Sequence, residues 1–148
     1  MTHAQHSTTF YSEIYGPLQI DANQIYEFKE GMVGLPNLRR YALVHLESAP
    51  FSLLHALDEQ ICFIVIPASE AVSGYGFHID DETVDLLGAE RQEDIATFLV
   101  VNVIEDRLYV NLKAPVLLNP VHRLGVQFVI HDQDLPIRHP LLQGSGEE

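Results

Sequence analysis

Thr97-Phe98-Leu99-Val100-Val101-Asn102-Val103-Ile104, Glu105-Asp106-Arg107, then Leu108-Tyr109-Val110-Asn111-Leu112-Lys113-Ala114-Pro115-Val116-Leu117-Leu118-Asn119 is the stretch that decides the fold. Two runs rich in Val, Leu, Phe and Tyr flank a short polar turn, which predicts a β-hairpin over 97–104 and 108–112. Pro115 has no N–H to give a ladder, so it breaks the second strand, and the apolar run behind it starts a third. With side chains alternating along a strand, Asn111 and Lys113 share one face and Leu112 points into the core. Open backbone groups and amides near Asn111, Lys113 and Asn119 then offer a surface to which a partner adds hydrogen bonds. The competing reading has both asparagines closing turns. Nothing in the stretch has the pattern of a catalytic group.

Working outward, short apolar runs recur. Residues 25–28, 41–46, 51–57, 61–66 and 124–130 read as further strands, separated by turn residues such as Asp58-Glu59-Gln60. Phe63-Ile64-Val65-Ile66 is apolar on both faces, so it belongs in the middle of a sheet. One helix is expected: Asp80 or Asp81 caps 82–87, Gly88 stops it, and acids lie favourably near its N-terminal dipole. A second short turn is expected at 90–95. The fold class is therefore mainly β, a compact antiparallel β-barrel-like single domain over 1–148 with one or two short helices. Flexible ends are expected in the first few residues and at about 143–148.

Composition narrows the function. Asp and Glu number 21 against 8 Lys and Arg, a net charge of −13. Such a surface repels phosphate backbones and attracts basic proteins; the competing reading is an acidic balance that serves solubility alone. The lone cysteine, Cys62, lies within Ile61-Cys62-Phe63-Ile64 and forms no intramolecular disulfide, which favours a reducing cytoplasm. No basic-then-apolar leader is visible, and apolar runs fall far short of the ~20 residues that span a membrane.

Eight histidines raise the question of a metal. His78-x-Asp80-Asp81, His131-Asp132-x-Asp134 and the His3/His6 pair all lack the spacing and cysteine partners of zinc motifs. His45 and His55 sit in apolar strands and read as hydrogen-bonded wall residues. No Gly-x-Ser-x-Gly elbow is present, and no cofactor is implied. Gly31-Met32-Val33-Gly34, near Lys29, Arg39 and Arg40, has the form of a phosphate-clamping loop, but it reads better as a turn fixed by Pro36.

Several segments in order carry a family resemblance. They are Phe28-x-x-Gly31-x-x-Gly34-Leu35-Pro36, Pro50-Phe51-x-x-Leu54, Leu57-Asp58, Phe63-Ile64-Val65-x-Pro67, Asn111-Leu112-Lys113-Ala114-Pro115-Val116 with Asn119, Gln127-Phe128-Val129-Ile130 and Arg138-x-Pro140-Leu141. Together they resemble the flagellar assembly factor family FliW. The chain departs from the family pattern in having Asn37-Leu38 where Gly-Phe is usual and His55-Ala56 where Gln-Ser is usual. The resemblance implies a compact β-barrel-like domain with a regulatory, non-enzymatic role in the cytoplasm; nothing in the sequence demands self-association, so it is expected to be monomeric alone. Such a protein binds the translational regulator CsrA, stops it repressing flagellin translation, and is itself occupied by flagellin.

The candidate contact residues are Leu54, Glu70, Asp80, Asp81, Glu82, Asn111 and Lys113. The acids would supply a field that attracts a basic dimer and disfavours RNA on it, and the others would make the contacts. Two alternatives stay open: a small-molecule-binding or enzymatic barrel using His45, His55 and Tyr109, and an RNA-binding module using the Gly31–Gly34 loop.

Overall fold

The computed structural model describes residues 7–47 and 50–141. The ends expected to be flexible, and the His3/His6 pair, lie outside the described residues. The strands are β1 (Thr8–Ser12), β2 (Gly16–Ile20), β3 (Ile25–Glu27), β4 (Arg40–His45), β5 (Ser52–Ala56), β6 (Cys62–Pro67), β7 (Ala96–Ile104), β8 (Arg107–Val110), β9 (Val116–Asn119), β10 (Leu124–Gln127) and β11 (His139–Pro140). Two short helices, α1 (Ala68–Ala71) and α2 (Asp81–Leu87), follow β6. Seven strands close a barrel in the order β7-β6-β5-β4-β3-β10-β9, with β9 returning to β7. The fold is mainly β, as expected, and antiparallel except where β10 meets β3 in parallel at Leu124 and Glu27.

The opening stretch is where the sheet divides. One edge of β7 pairs with β6. Its other edge is shared: Val101–Ile104 takes β8, and Ala96–Phe98 takes β9. Residues 107–119 thus run along β7 as two strands with a turn between them. β8 continues into an extension finished by β11, and β9 closes the barrel. The β7–β8 turn is the two residues Glu105 and Asp106, with φ of 52° and 69°. These positive values are those of the two-residue hairpin turn whose twist matches the strands, so Arg107 already pairs with Ile104 rather than lying in the turn.

This division explains the doubly apolar strands. Val65 and Val100 face the barrel interior with Phe28, Tyr41 and Leu54, whereas Ile66, Leu99 and Val101 face the opposite side, under α1, Val110 and Leu112. Both faces are therefore buried. Phe28 and Tyr41 meet edge to face at 5.0 Å in the interior. Gly125 is required beside them, because a Cβ there would lie 2.5 Å from Phe28 Cζ.

Two expectations need correction. Asn111 and Lys113 do not share a strand face: β8 ends at Val110, and residues 111–115 turn. The last long strand ends at Gln127, not 130. The short turn expected at 90–95 is there, as the 3-10 turn Gln92–Asp94. Helix α1 and the separate β1–β2 hairpin add to the elements expected from the sequence. The helix expected over 82–87 is there as Asp81–Leu87, with Asp80, one of the two candidate caps, as N-cap and Gly88 in the left-handed C-cap conformation at φ 63°.

Candidate docking surface

Helix α2 positions the acids. Asp80 Oδ1 accepts the Thr83 amide at 2.8 Å, satisfying one of the donors that a helix start leaves unpaired. Hydrogen bonding from Thr83, side chain and backbone, holds the Asp80 carboxyl below the usual carboxylate range. Asp81, Glu82 and Asp85 are exposed beside it. The opposite face of the helix buries Thr83 and Leu87, and Leu87 O accepts from Asn119 Nδ2 at 2.8 Å. That bond ties α2 to the end of β9.

Next to α2 lies a groove of about 340 Å³, lined by the apolar Phe77, Ile79, Val84, Ala89 and Ile95 and rimmed by His78, Glu90, Arg91 and Gln92. Aromatic rings support one wall: Phe77 stacks on Phe128 at 5.9 Å and touches Tyr75 at 5.3 Å. Tyr75 Oη donates to Leu112 O at 2.6 Å, and burial pushes its hydroxyl up to about 12. On the rim, Asp94 accepts the Glu90 and Arg91 amides at 3.0 Å each, which pulls its carboxyl down. Arg91 reaches Asp94 at 3.9 Å, so the one cation on the rim already faces a carboxylate.

The seven sequence candidates separate sharply. Asp80, Asp81 and Glu82 stand together at the start of α2, and Glu70 is exposed on α1. Leu54 is fully buried in the barrel between Leu43 and Phe63, so it offers no surface contact. Asn111 and Lys113 serve the turn. Asn111 Oδ1 accepts the Lys113 and Ala114 amides, and Lys113 Nζ donates to Ile130 O at 2.9 Å. Asn119 likewise closes a turn through Val121 N at 3.1 Å. The groove is not legible in the sequence, because Phe77 and Ile79 alternate without forming a strand and meet Val84 and Ile95, from other segments, only in the folded chain.

The histidine and glycine alternatives gain no geometry. His45 is exposed against Ser52, His55 is buried against Ser12, and Tyr109 lies on β8, so the three do not converge. Gly31 and Gly34 take φ of 70° and 82° in a tight turn closed by Leu35 N to Met32 O at 2.8 Å. A Cβ on Gly31 would run into the Leu35 carbonyl oxygen, and Arg40 pairs with Asp58 at 3.0 Å. Among the described residues no three His, Cys, Asp or Glu side chains group as metal ligands, and no helix is long and apolar enough to cross a membrane.

Fold and surface define a class: a small closed β-barrel carrying an acidic helix beside an apolar groove. The chain belongs to the FliW family, since residues 9–141 match the family model described as FliW protein. It is 34% identical over 135 residues to the flagellar assembly factor FliW of Caldicellulosiruptor saccharolyticus, covering 89% of each chain. It is 33% identical over 140 residues to that of Caldicellulosiruptor bescii, covering 93% of this chain and 92% of the relative. A crystal structure of the flagellar assembly factor FliW superposes with a TM-score of 0.85 at 24% identity, covering 93% of this chain and 99% of that one, and shows the same fold.

Proposed function

We propose that this protein acts in flagellar assembly by binding proteins in the cytoplasm rather than by catalysis. Its partners are CsrA, whose repression of flagellin translation it relieves, and flagellin, which occupies it in turn. The observation that carries this reading is the juxtaposition at α2. Three carboxylates, Asp80, Asp81 and Glu82, adjoin an apolar groove on a chain of net charge −13. Long-range attraction steers a basic RNA-binding dimer to such a face, and desolvation of Phe77, Ile79 and Val84 then holds it. Bound there, the carboxylates lower the affinity of RNA for the dimer without covering its RNA site. Glu70 adds to the field from α1.

Titration calorimetry against purified CsrA, with and without flagellin already bound, tests the reading. Submicromolar binding that preloaded flagellin abolishes is the expected result. Flagellin binding without CsrA binding would reduce the protein to a flagellin chaperone, and binding to neither would remove the proposal.

A further inference from the structure

The β1–β2 turn presents three large apolar side chains to solvent within five residues: Tyr11 is 71% exposed, Ile14 66% and Tyr15 37%. Its backbone is nevertheless held from several directions. Ser12, between them, is buried, and its Oγ accepts the Ile14 amide at 3.2 Å and the Tyr15 amide at 3.1 Å. His55 fixes that hydroxyl. The Ala56 carbonyl can only accept, so His55 Nδ1 carries the proton donated to it at 2.7 Å, and Nε2 accepts from Ser12 Oγ at 3.0 Å. Ser12 Oγ thus donates once and accepts twice. Outside the turn, the Gln60 side chain accepts the Glu13 amide at 2.8 Å and donates to Tyr11 O at 3.2 Å, pairing with the strand edge as another strand would. Phe10 packs edge-on to His55 at 4.9 Å beneath.

A turn whose polar groups are satisfied by its own Ser12 and by His55 and Gln60 behind it, and whose aromatic and aliphatic side chains are left outside, is a preorganised contact. Tyrosine and other large side chains held in one geometry lose little freedom on binding and dominate interface energetics. The charge nearby is small: Glu13 in the turn and Glu59 beside Gln60, with Arg40 paired to Asp58. Asp80, Asp81, Glu82 and Asp85 crowd α2 by comparison. A strongly basic partner therefore has its complement at α2, and the turn fits a partner segment that is apolar and weakly charged.

We infer that Tyr11, Ile14 and Tyr15 form a second protein-docking surface, separate from the α2 groove, for an apolar, weakly charged protein segment. Resting on the function proposed above, this assigns the turn to flagellin and α2 to CsrA, so the two partners do not share one contact surface. Flagellin would then release CsrA by coupling between sites rather than by covering its site, and the coupling must act in both directions.

The test uses the full chain with Tyr11→Ser and Ile14→Ser together, and with Ile14→Asp alone, titrated separately against flagellin and CsrA and checked by thermal melting. Both side chains lie outside the hydrogen-bond network, so the melting temperature should hold. The expected result is flagellin affinity weakened by about 30-fold or more, with CsrA affinity within about threefold of the parent. Flagellin binding should also respond far less to added salt than CsrA binding. Unchanged affinity for both partners would overturn the assignment and leave the proposed function standing. Loss of both, with an unchanged melt, would make the turn a shared contact and overturn the separation. If the parent protein binds neither, the proposed function and this assignment both fall.

Discussion

Asn111 holds Lys113 in place: its Oδ1 accepts the Lys113 amide at 3.0 Å and the Ala114 amide at 3.1 Å, bending the chain where β7 changes partner from β8 to β9. Lys113 is fixed further by Ile130, whose amide donates to Lys113 O at 2.8 Å. Polar groups that look like a binding face in the sequence are here consumed by a turn. Asn111→Ala should therefore cost stability, about 1–3 kcal/mol for two amides left without their acceptor. Urea unfolding measures this, and the folded variant should bind both partners within about threefold of the parent. A large affinity loss without a stability loss would return Asn111 to the interface.

Tyr41 is fully buried, and its hydroxyl meets no hydrogen-bond partner among the described residues. Tyr41→Phe removes an orphaned polar atom and keeps the ring against Phe28, so it should raise stability by about 1 kcal/mol. Burial pushes the Tyr41 hydroxyl up from 10.0 to about 12. The folded state therefore holds this proton more tightly than the unfolded state. The resulting stability is full below pH 10 and is lost as pH rises toward 12. Denaturation curves between these limits should fall less steeply for Tyr41→Phe.

Asp80 and its neighbours separate capping from steering. Asp80→Ala loses the bond to the Thr83 amide and should cost about 1 kcal/mol, whereas Asp80→Asn keeps a good cap and should cost little. The Asp80 carboxyl is held low, so its contribution is full above the ordinary carboxylate value of 3.8 and is lost as pH falls through the lower folded value. Asp81→Lys with Glu82→Lys leaves that cap intact. The pair should slow association with CsrA by about fivefold at low salt and flatten its salt dependence. Stopped-flow kinetics at several salt concentrations would reveal an unchanged slope if α2 plays no part in steering.

Gly125 sits where β10 passes Phe28. Gly125→Ala places a methyl 2.5 Å from Phe28 Cζ and 2.9 Å from Leu118 Cδ2, inside a barrel with little room to move. The expected loss is about 1–3 kcal/mol in a urea melt. Pairing it with Phe28→Leu should recover part of that loss by vacating the clash. A second substitution that only adds to the first would show that strain elsewhere in β10 is responsible.

Local chemistry carried much of the fold. Val, Ile and Phe runs with polar breaks marked β4 to β8 within a residue or two, because alternation and turn residues act over short distances. Asp80 and Gly88 marked both ends of α2 for the same reason, and Phe63-Ile64-Val65-Ile66 announced a strand buried on both faces. The acidic balance that frames the proposed partners needs no structure at all. What periodicity could not decide was closure. That β9 returns to β7, and that β10 lies parallel to β3, depends on contacts between residues distant in sequence. Burial decided the site in the same way. Leu54 lies in the core rather than at a contact, Asn111 and Lys113 lie in a turn rather than on a strand face, and Tyr11, Ile14 and Tyr15 face water on a turn that His55 and Gln60 hold from elsewhere in the chain. The sequence alone determined the charge and the strands from β3 to β10. Only the tertiary structure decided which side chains are left over for a partner, because exposure is set by what the rest of the chain packs against.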